Sequence, residues 1–217
     1  YSTSFPPALV LKGSFGVSVK GRRLRTSLIA VQYFISIALI IVALFIRVQY
    51  EWMRNYDIGV DKSNILKVNL PEELAGQRRV IENEIGNIKG VSEVAFSYSD
   101  LFTKNMEWNR PIRDKAETFS AQMVTPNMLT MLDIKITEGR GFLESDGQGH
   151  GVFIFNETGR KLFDLALGEE IWGIEEQATI VGFCEDFNFQ PLVYPVTPLV
   201  LYVGGKDLPQ WQLSTVY

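Results

Sequence analysis

Twenty consecutive residues without a charge, SLIAVQYFISIALIIVALFI, run from Ser27 to Ile46. One residue before them stands the basic segment KGRRLR, residues 20–25. At about 1.5 Å of rise per residue, a helix over this run spans about 30 Å, the thickness of a bilayer's hydrocarbon core. A core helix of a soluble protein rarely stays apolar around its whole circumference for that length. The run is therefore read as a membrane span. A cleaved signal peptide is the competing reading. Against it, the run exceeds a usual signal-peptide core, no A-x-A-like site follows, and the chain does not begin with Met. The first and last residues also lead us to expect a piece of a longer protein.

Charge gives the orientation. Six of the 21 basic residues lie within residues 1–50, with none of the 25 acidic ones, which leaves 15 bases against 25 acids beyond, a balance of −10. Basic residues beside a span are retained on the cytoplasmic side. Lys20, Arg22, Arg23 and Arg25 are thus the topology-setting cluster, and the chain after about Arg47 should lie across the membrane. Tyr50 and Trp52 fall where an interfacial aromatic belt is expected. The expected organisation is a cytoplasmic connecting segment over 1–26, a transmembrane helix over 27–46, a stalk helix over 47–62 and an outer domain over 63–217. The acidic outer part argues against nucleic acid, which needs a basic face.

Within the span, Gln32 and Ser36 are four apart and share one helix face. One reading packs that face against another helix, where polar groups are better satisfied than in lipid. The other has Ser36 bonding back to its own helix and Gln32 near the interface. Beyond the span, Val48, Trp52 and Tyr56 form one stripe at intervals of four, with Gly59 as the expected stop.

Local patterns in the outer part predict short elements. Residues 64–70 alternate as a strand, Pro71 opens a helix carrying Leu74, Ile81, Ile85 and Ile88, Gly90 ends it, and residues 91–99 form the next strand. Residues 100–114 carry little periodicity and are expected to form a loop or insertion. Residues 118–124 read as a strand. Thr125 and Pro126 should cap a short helix packed through Met128, Leu129 and Leu132. Residues 133–139 read as an edge strand and 139–151 as a long turn. VFIFN, residues 152–156, is a buried strand, and Asn156 should cap the helix that follows. Three further strands are expected in EEIWG, ATIVGF and PLVLYV. The fold class is α+β, with a β-α-β lobe and a strand-rich lobe.

Candidate chemistry is sparse. The chain has one cysteine, Cys184, and one histidine, His150. No intrachain disulfide or Cys/His metal site can be assembled from them, and no cofactor is expected. Cys184 with His150 as its base is a nucleophile candidate, but its neighbours Ile180, Val181 and Phe183 favour a packed residue. His150, in a Gly-rich turn, reads as a solvated loop residue. Glu185 and Asp186 are an acid/base candidate in a turn where solvated acids are common. Glu175 and Glu176 read as surface turn residues. No nucleotide, zinc-protease or hydrolase motif occurs, so the chain is not expected to be an enzyme.

Several segments resemble a known family in order and spacing. LKG (residues 11–13), the basic cluster, QYFISIALI (32–40) and VQYEWMRNYDIGVDKSNIL (48–66) resemble the middle of MacB/FtsX-type ABC transporter permeases, in the long form common in Bacteroidetes. VTPNMLTMLDIKITEGRGF (124–142), VFIFNETGRKLF (152–163) and ATIVGFCEDFNFQPLVYPVTPLVLYV (178–203) are similar to later segments of the same family. LALGEEIWG (165–173) is shorter than its family counterpart, the domain's close is incomplete at Tyr217, and the returning spans are missing. The resemblance implies a MacB-like periplasmic core domain with porter-like and sabre-like lobes, placed at the start of the second of two similar halves. It implies a bacterial inner-membrane permease subunit that hydrolyses no ATP and is driven by a cytoplasmic ABC ATPase. Its role would be export, lipoprotein release or partner activation. Other expected partners are transmembrane helices of the same permease or a dimer mate, membrane lipid, and a periplasmic or outer-membrane protein. The family fixes no substrate residues, so none is carried over. On this reading Trp52 and Tyr56 couple the span to the outer domain. Two rivals stay open: a single-pass sensor with an extracytoplasmic ligand-binding domain, and a membrane-anchored periplasmic enzyme.

Overall fold

The computed structural model describes residues 19–75, 77–103, 106–174, 177–205 and 215–217. It separates into two units, Tyr1–Tyr56 and Asp57–Tyr217. The LKG segment and the pair Glu175 and Glu176 lie outside the described residues.

The first unit is helix α1, Val19–Arg54, 36 residues with no buried side chain. At 1.5 Å per residue it is about 54 Å long, well beyond the uncharged run. The expected stalk continues the span without a break but stops at Arg54, short of Gly59. The reason is local. The Asp57 carboxylate accepts the Gly59 N–H at 2.8 Å, and the Asp61 carboxylate accepts the Ser63 N–H at 2.7 Å. These side chains offer the backbone a turn in place of the helical ladder.

The second unit contains two sheets. The small one has the order β1 (Val68–Asn69), β10 (Thr215–Val216), β2 (Phe96–Ser97), with both pairings antiparallel. It is the expected β-α-β unit, with a returning strand wedged between the two. The strands are shorter than the alternation predicted. Asn64 takes a left-handed φ of 61°, which ends extended backbone before β1. The single predicted helix is two, α2 (Glu72–Ala75) and α3 (Arg78–Gly86). Only Ile81 and Ile85 pack on the cluster of Val94, Phe96 and Val216, while Leu74 and Ile88 are exposed. The helix ends at Gly86 rather than Gly90, where Asn87 Nδ2 donates to the Asn83 carbonyl at 2.8 Å.

The large sheet is mixed. Its path is β3 (Met106–Ile112), β4 (Lys115–Met123), β9 (Leu199–Val203), β6 (Val152–Asn156), β8 (Gln177–Cys184), β5 (Ile136–Gly139). Strand β7 (Glu170–Trp172) pairs with the start of β8. β4–β9 and β6–β8 are the parallel pairs. Strands β6 and β9 are buried at every residue, as expected of strands covered on both faces. Successive side chains alternate between two cores. Val152, Ile154, Leu199 and Leu201 join Met128, Leu132 and Cys184 on one face. Phe153, Phe155, Val200 and Tyr202 join Trp108 and Phe119 on the other.

Residues 106–112 correct the expectation of a loop. They form the outer strand of a hairpin, paired with β4 from Met106–Ala121 to Ile112–Lys115 around a two-residue turn. Trp108 lies 5.6 Å from the Tyr202 ring. Arg110 Nε donates to the carbonyls of Trp172 and Gly173, both at 3.1 Å, tying the hairpin's outer edge to β7.

Two short helices complete the unit. α4 (Met128–Met131) buries Met128 and Leu129, and Leu132 just past it is also buried. Asn127, not Thr125, stands at its cap position. Thr125 Oγ1 instead accepts the Phe96 N–H at 3.0 Å, and Asn127 Nδ2 donates to the Val94 carbonyl at 2.9 Å. That pair ties α4 to the small sheet. α5 (Glu157–Phe163) is capped by Asn156, which accepts the Gly159 N–H at 3.0 Å, as the sequence predicts.

Candidate functional site

Two stretches carry the candidate residues: helix α1 in the first unit, and residues 57–65, where the second unit begins. Along α1, Lys20, Arg22, Arg23 and Arg25 fall in the first two turns. Cations at a helix N-terminus oppose the macrodipole, at a cost of some tenths of a kcal/mol each. Helix stability therefore does not account for them. Gln32 and Ser36 are exposed along with the apolar residues from Leu28 to Ile46. At the other end Arg47 and Glu51 pair at 3.0 Å, and the Trp52 and Tyr56 rings meet at 5.0 Å between centroids, tilted by 55°. Of the stripe predicted at intervals of four, Trp52 and Tyr56 thus touch, across the last helical turn and the first residues beyond it, while Val48 is exposed.

The chain is taken up by the second unit almost at once. The Ile58 carbonyl accepts the Asn188 N–H at 2.8 Å, and the Asp61 N–H donates to the Leu132 carbonyl at 2.9 Å. Val60 and Ile65 pack against the core that contains Phe187 and Leu132. Gly59 has φ of +83°, and a Cβ there would come within 3.2 Å of the Asp186 carbonyl oxygen and of Phe187 Cβ. The position thus requires glycine for both its backbone angle and its clearance. Three residues, 55–57, separate the helix from its first anchor, a leash of about 10 Å at full extension.

The chemical candidates resolve as structural residues. Cys184 is fully buried at the end of β8. Burial above all, then the negative charge of Asp186 and Glu157, pushes its thiol up to about 12. It is a packed thiol rather than a thiolate. His150 is exposed beyond a short 3₁₀ turn at Asp146–Gln148. Asp186 accepts both the N–H of Thr158 at 2.9 Å and its hydroxyl at 2.8 Å. The Glu185 N–H donates to the Lys135 carbonyl at 2.9 Å. The pair expected to be a solvated turn therefore includes one acid engaged with the start of α5, which no sequence spacing announced. Among the described residues no group of three or more His, Cys, Asp or Glu is placed to hold a metal ion.

Hollows open among the described residues of the second unit. One, of about 530 Å³, is bordered by Ile65, Leu66, Val68, Ile85, Val91 and Met131. Another, of about 280 Å³, has Lys62, Lys67, Asp100 and Tyr217 on its walls. Burial pushes Asp100 up, but the ammonium of Lys67, the Thr103 hydroxyl and the Phe102 N–H outweigh it and hold the carboxyl below its ordinary value. A carboxylate held ionised in this way is a poor general acid.

Comparison with known proteins follows the same path. A family model described as MacB-like periplasmic core domain matches residues 31–204, a stretch that begins within the apolar helix and runs through most of the second unit. No curated protein matches the chain. Among solved structures, the periplasmic region of MacB from Actinobacillus actinomycetemcomitans is 14% identical with a TM-score of 0.45, over 65% of this chain and 74% of that one. The extracellular domain of the noncanonic ABC-type transporter YknZ from Gram-positive bacteria is 13% identical with a TM-score of 0.47, over 69% and 79%.

Proposed function

This chain belongs to the family of MacB-like periplasmic core domains of ABC transporter permeases, and from that premise we propose that it is a non-catalytic transmitter of ATP-driven motion. Residues 27–46 anchor it in a bacterial inner membrane, with residues 1–26 cytoplasmic and the part after about Arg47 in the periplasm. A cytoplasmic ABC ATPase supplies the work. The helix passes its displacement through Trp52 and Tyr56 to the outer domain, which serves export, lipoprotein release or activation of a periplasmic or outer-membrane protein. Gln32 and Ser36 face another helix of the same permease or of a dimer mate.

The observation that carries this reading is the short leash. A domain that only displays a binding surface tolerates a long flexible tether. Here the chain is hydrogen-bonded at Ile58 and again at Asp61 directly after the helix. Little of a helix movement is lost in slack, which is the physical requirement for coupling through a contiguous element.

The test uses the full-length protein purified from membranes. A co-purifying ATPase is expected, and adding ATP with vanadate should change hydrogen exchange in the outer domain. Replacing Trp52 and Tyr56 together by Ala should abolish that change while the outer domain's melting temperature stays within about 2 °C, since both residues are exposed. An unchanged response in the double variant would sink the coupling role. A cytoplasmic signalling module in place of an ATPase would turn the reading to a receptor.

A further inference from the structure

We propose that the loop at residues 185–188 is the hub that routes linker displacement into helix α5 and strand β9, with Asp186 as its positioning residue. The inference rests on the transmission reading above and names the route within the outer domain.

Four contacts meet in this loop. Its Asn188 N–H holds the Ile58 carbonyl at 2.8 Å. Its backbone at Asp186 and Phe187 forms the surface on which Gly59 rests, with 3.2 Å of clearance for a Cβ. Its Glu185 N–H donates to the Lys135 carbonyl, at the entry to β5. Its Asp186 carboxylate takes Thr158 with both oxygens, one on the N–H at 2.9 Å and one on the hydroxyl at 2.8 Å. Two bonds to one residue fix direction as well as distance, so the start of α5 follows the loop.

The loop is stiff enough to do this. Phe187 and Phe189 are fully buried, with ring centroids 5.9 Å apart. Buried aromatic side chains resist rotation in a close-packed interior, which leaves the loop to move as a body.

The route continues past α5. Asn156 Oδ1 accepts from Gly159 and also from the Leu199 N–H at 2.9 Å, while its Nδ2 donates to the Thr197 carbonyl at 2.9 Å. Asn156 is wholly buried, so these bonds do not exchange with water and a shift of α5 is felt at the start of β9. Strand β9 lies between β4 and β6 in the middle of the large sheet. A second route leaves the linker at Asp61, which donates to Leu132 beside α4. The two routes end on different elements, and an experiment can separate them.

The experiment is site-resolved hydrogen exchange on the full-length protein with its co-purified ATPase, with and without ATP and vanadate. Wild type should show nucleotide-dependent change both at residues 58–63 and at residues 158–163. Asp186→Asn and Thr158→Val should each cut the response at 158–163 by about threefold or more, while the response at 58–63 stays intact. The double variant should do no more than either alone, as expected for two residues acting through one contact. Thr158→Val exchanges the hydroxyl for a methyl of similar size and leaves the backbone N–H in place, so it keeps the test open if Asp186→Asn unfolds the loop. A retained response at 158–163 in both variants overturns the hub and leaves the transmission reading standing. Absence of any nucleotide-dependent change at 58–63 in wild type overturns both.

Discussion

Burial alone would raise Asp146, yet its carboxyl is held below its ordinary value. Arg140 donates to its two oxygens at 2.7 and 2.9 Å, and the Leu143 N–H adds a third bond at 2.8 Å. A carboxylate with a depressed folded-state value stabilises the fold above its unfolded value, about 4, and loses that contribution as pH falls below it. Arg140 is partly open to solvent, so the charge-assisted pair is worth about 1–2 kcal/mol, at the lower end for such bonds. Asp146→Asn should therefore lower the melting temperature of the outer domain by about 2–8 °C at pH 7. The gap from wild type should narrow at pH 3, below the unfolded value, and close only below the folded-state value. Thermal melts at the two values check this, and a gap that persists at low pH would assign the loss to packing instead. Nothing in the spacing GRGFLESD announces the pair, because two residues six apart in a turn follow no fixed geometry. The Asp186–Thr158 pair was equally hidden, since its partners are separated by 28 residues. Cys184 was legible, because a thiol flanked by apolar β-strand residues can be placed only in the core.

Elements were legible where one periodicity ran unbroken. The apolar run VFIF, residues 152–155, gave a buried strand, and Asn156 marked the helix after it. The hairpin at 106–123 shows where the signal fails. Its outer strand does alternate, with Trp108 and Ile112 buried and Glu107, Asn109 and Pro111 exposed. The inward position between those two is occupied by Arg110, which stacks over the Trp108 ring at 4.9 Å and breaks the apolar pattern. Its two-residue turn, Arg113 and Asp114, places φ of 55° on Arg113, where hairpin turns usually carry glycine. Charged residues thus took two positions that normally identify a hairpin. The β5 edge makes the converse use of glycine. A Cβ on Gly182 would stand 2.2 Å from the Arg140 carbonyl oxygen, so β5 can lie against β8 only because that side chain is missing. Gly182→Ala should push the β5 edge away and cost about 1–3 kcal/mol, as for other overpacked sites. Hydrogen exchange should rise at Arg140, whose N–H donates to the Val181 carbonyl at 3.0 Å, while protection in β6 and β9 is unchanged. Uniform loss of protection across the sheet would mean that β5 is integral to the core.

At the scale of the whole molecule, charge asymmetry carries the proposed orientation. A basic residue beside an anionic membrane surface is worth about 1 kcal/mol. Lys20, Arg22, Arg23 and Arg25 together supply about 4 kcal/mol of bias toward a cytoplasmic N-terminal segment on that figure. The remaining basic residues nearest the span are Lys12 before it and Arg47 and Arg54 after it, which leaves the excess on the outer side. Replacing the four by Gln should therefore remove the preference for a cytoplasmic N-terminal segment, with at least half of the chains inserted the other way. The substitutions lie in the first two turns of α1, on side chains that are exposed or only partly buried, so the outer domain's fold is not at risk. Protease added to spheroplasts checks the outcome. In wild type the outer domain should be digested in every molecule, since it faces outward. In the fourfold variant at least half should survive until the membrane is opened with detergent. Complete digestion in the variant would show that the acidic outer domain or the aromatic residues Tyr50 and Trp52, not the basic cluster, decide which side it occupies.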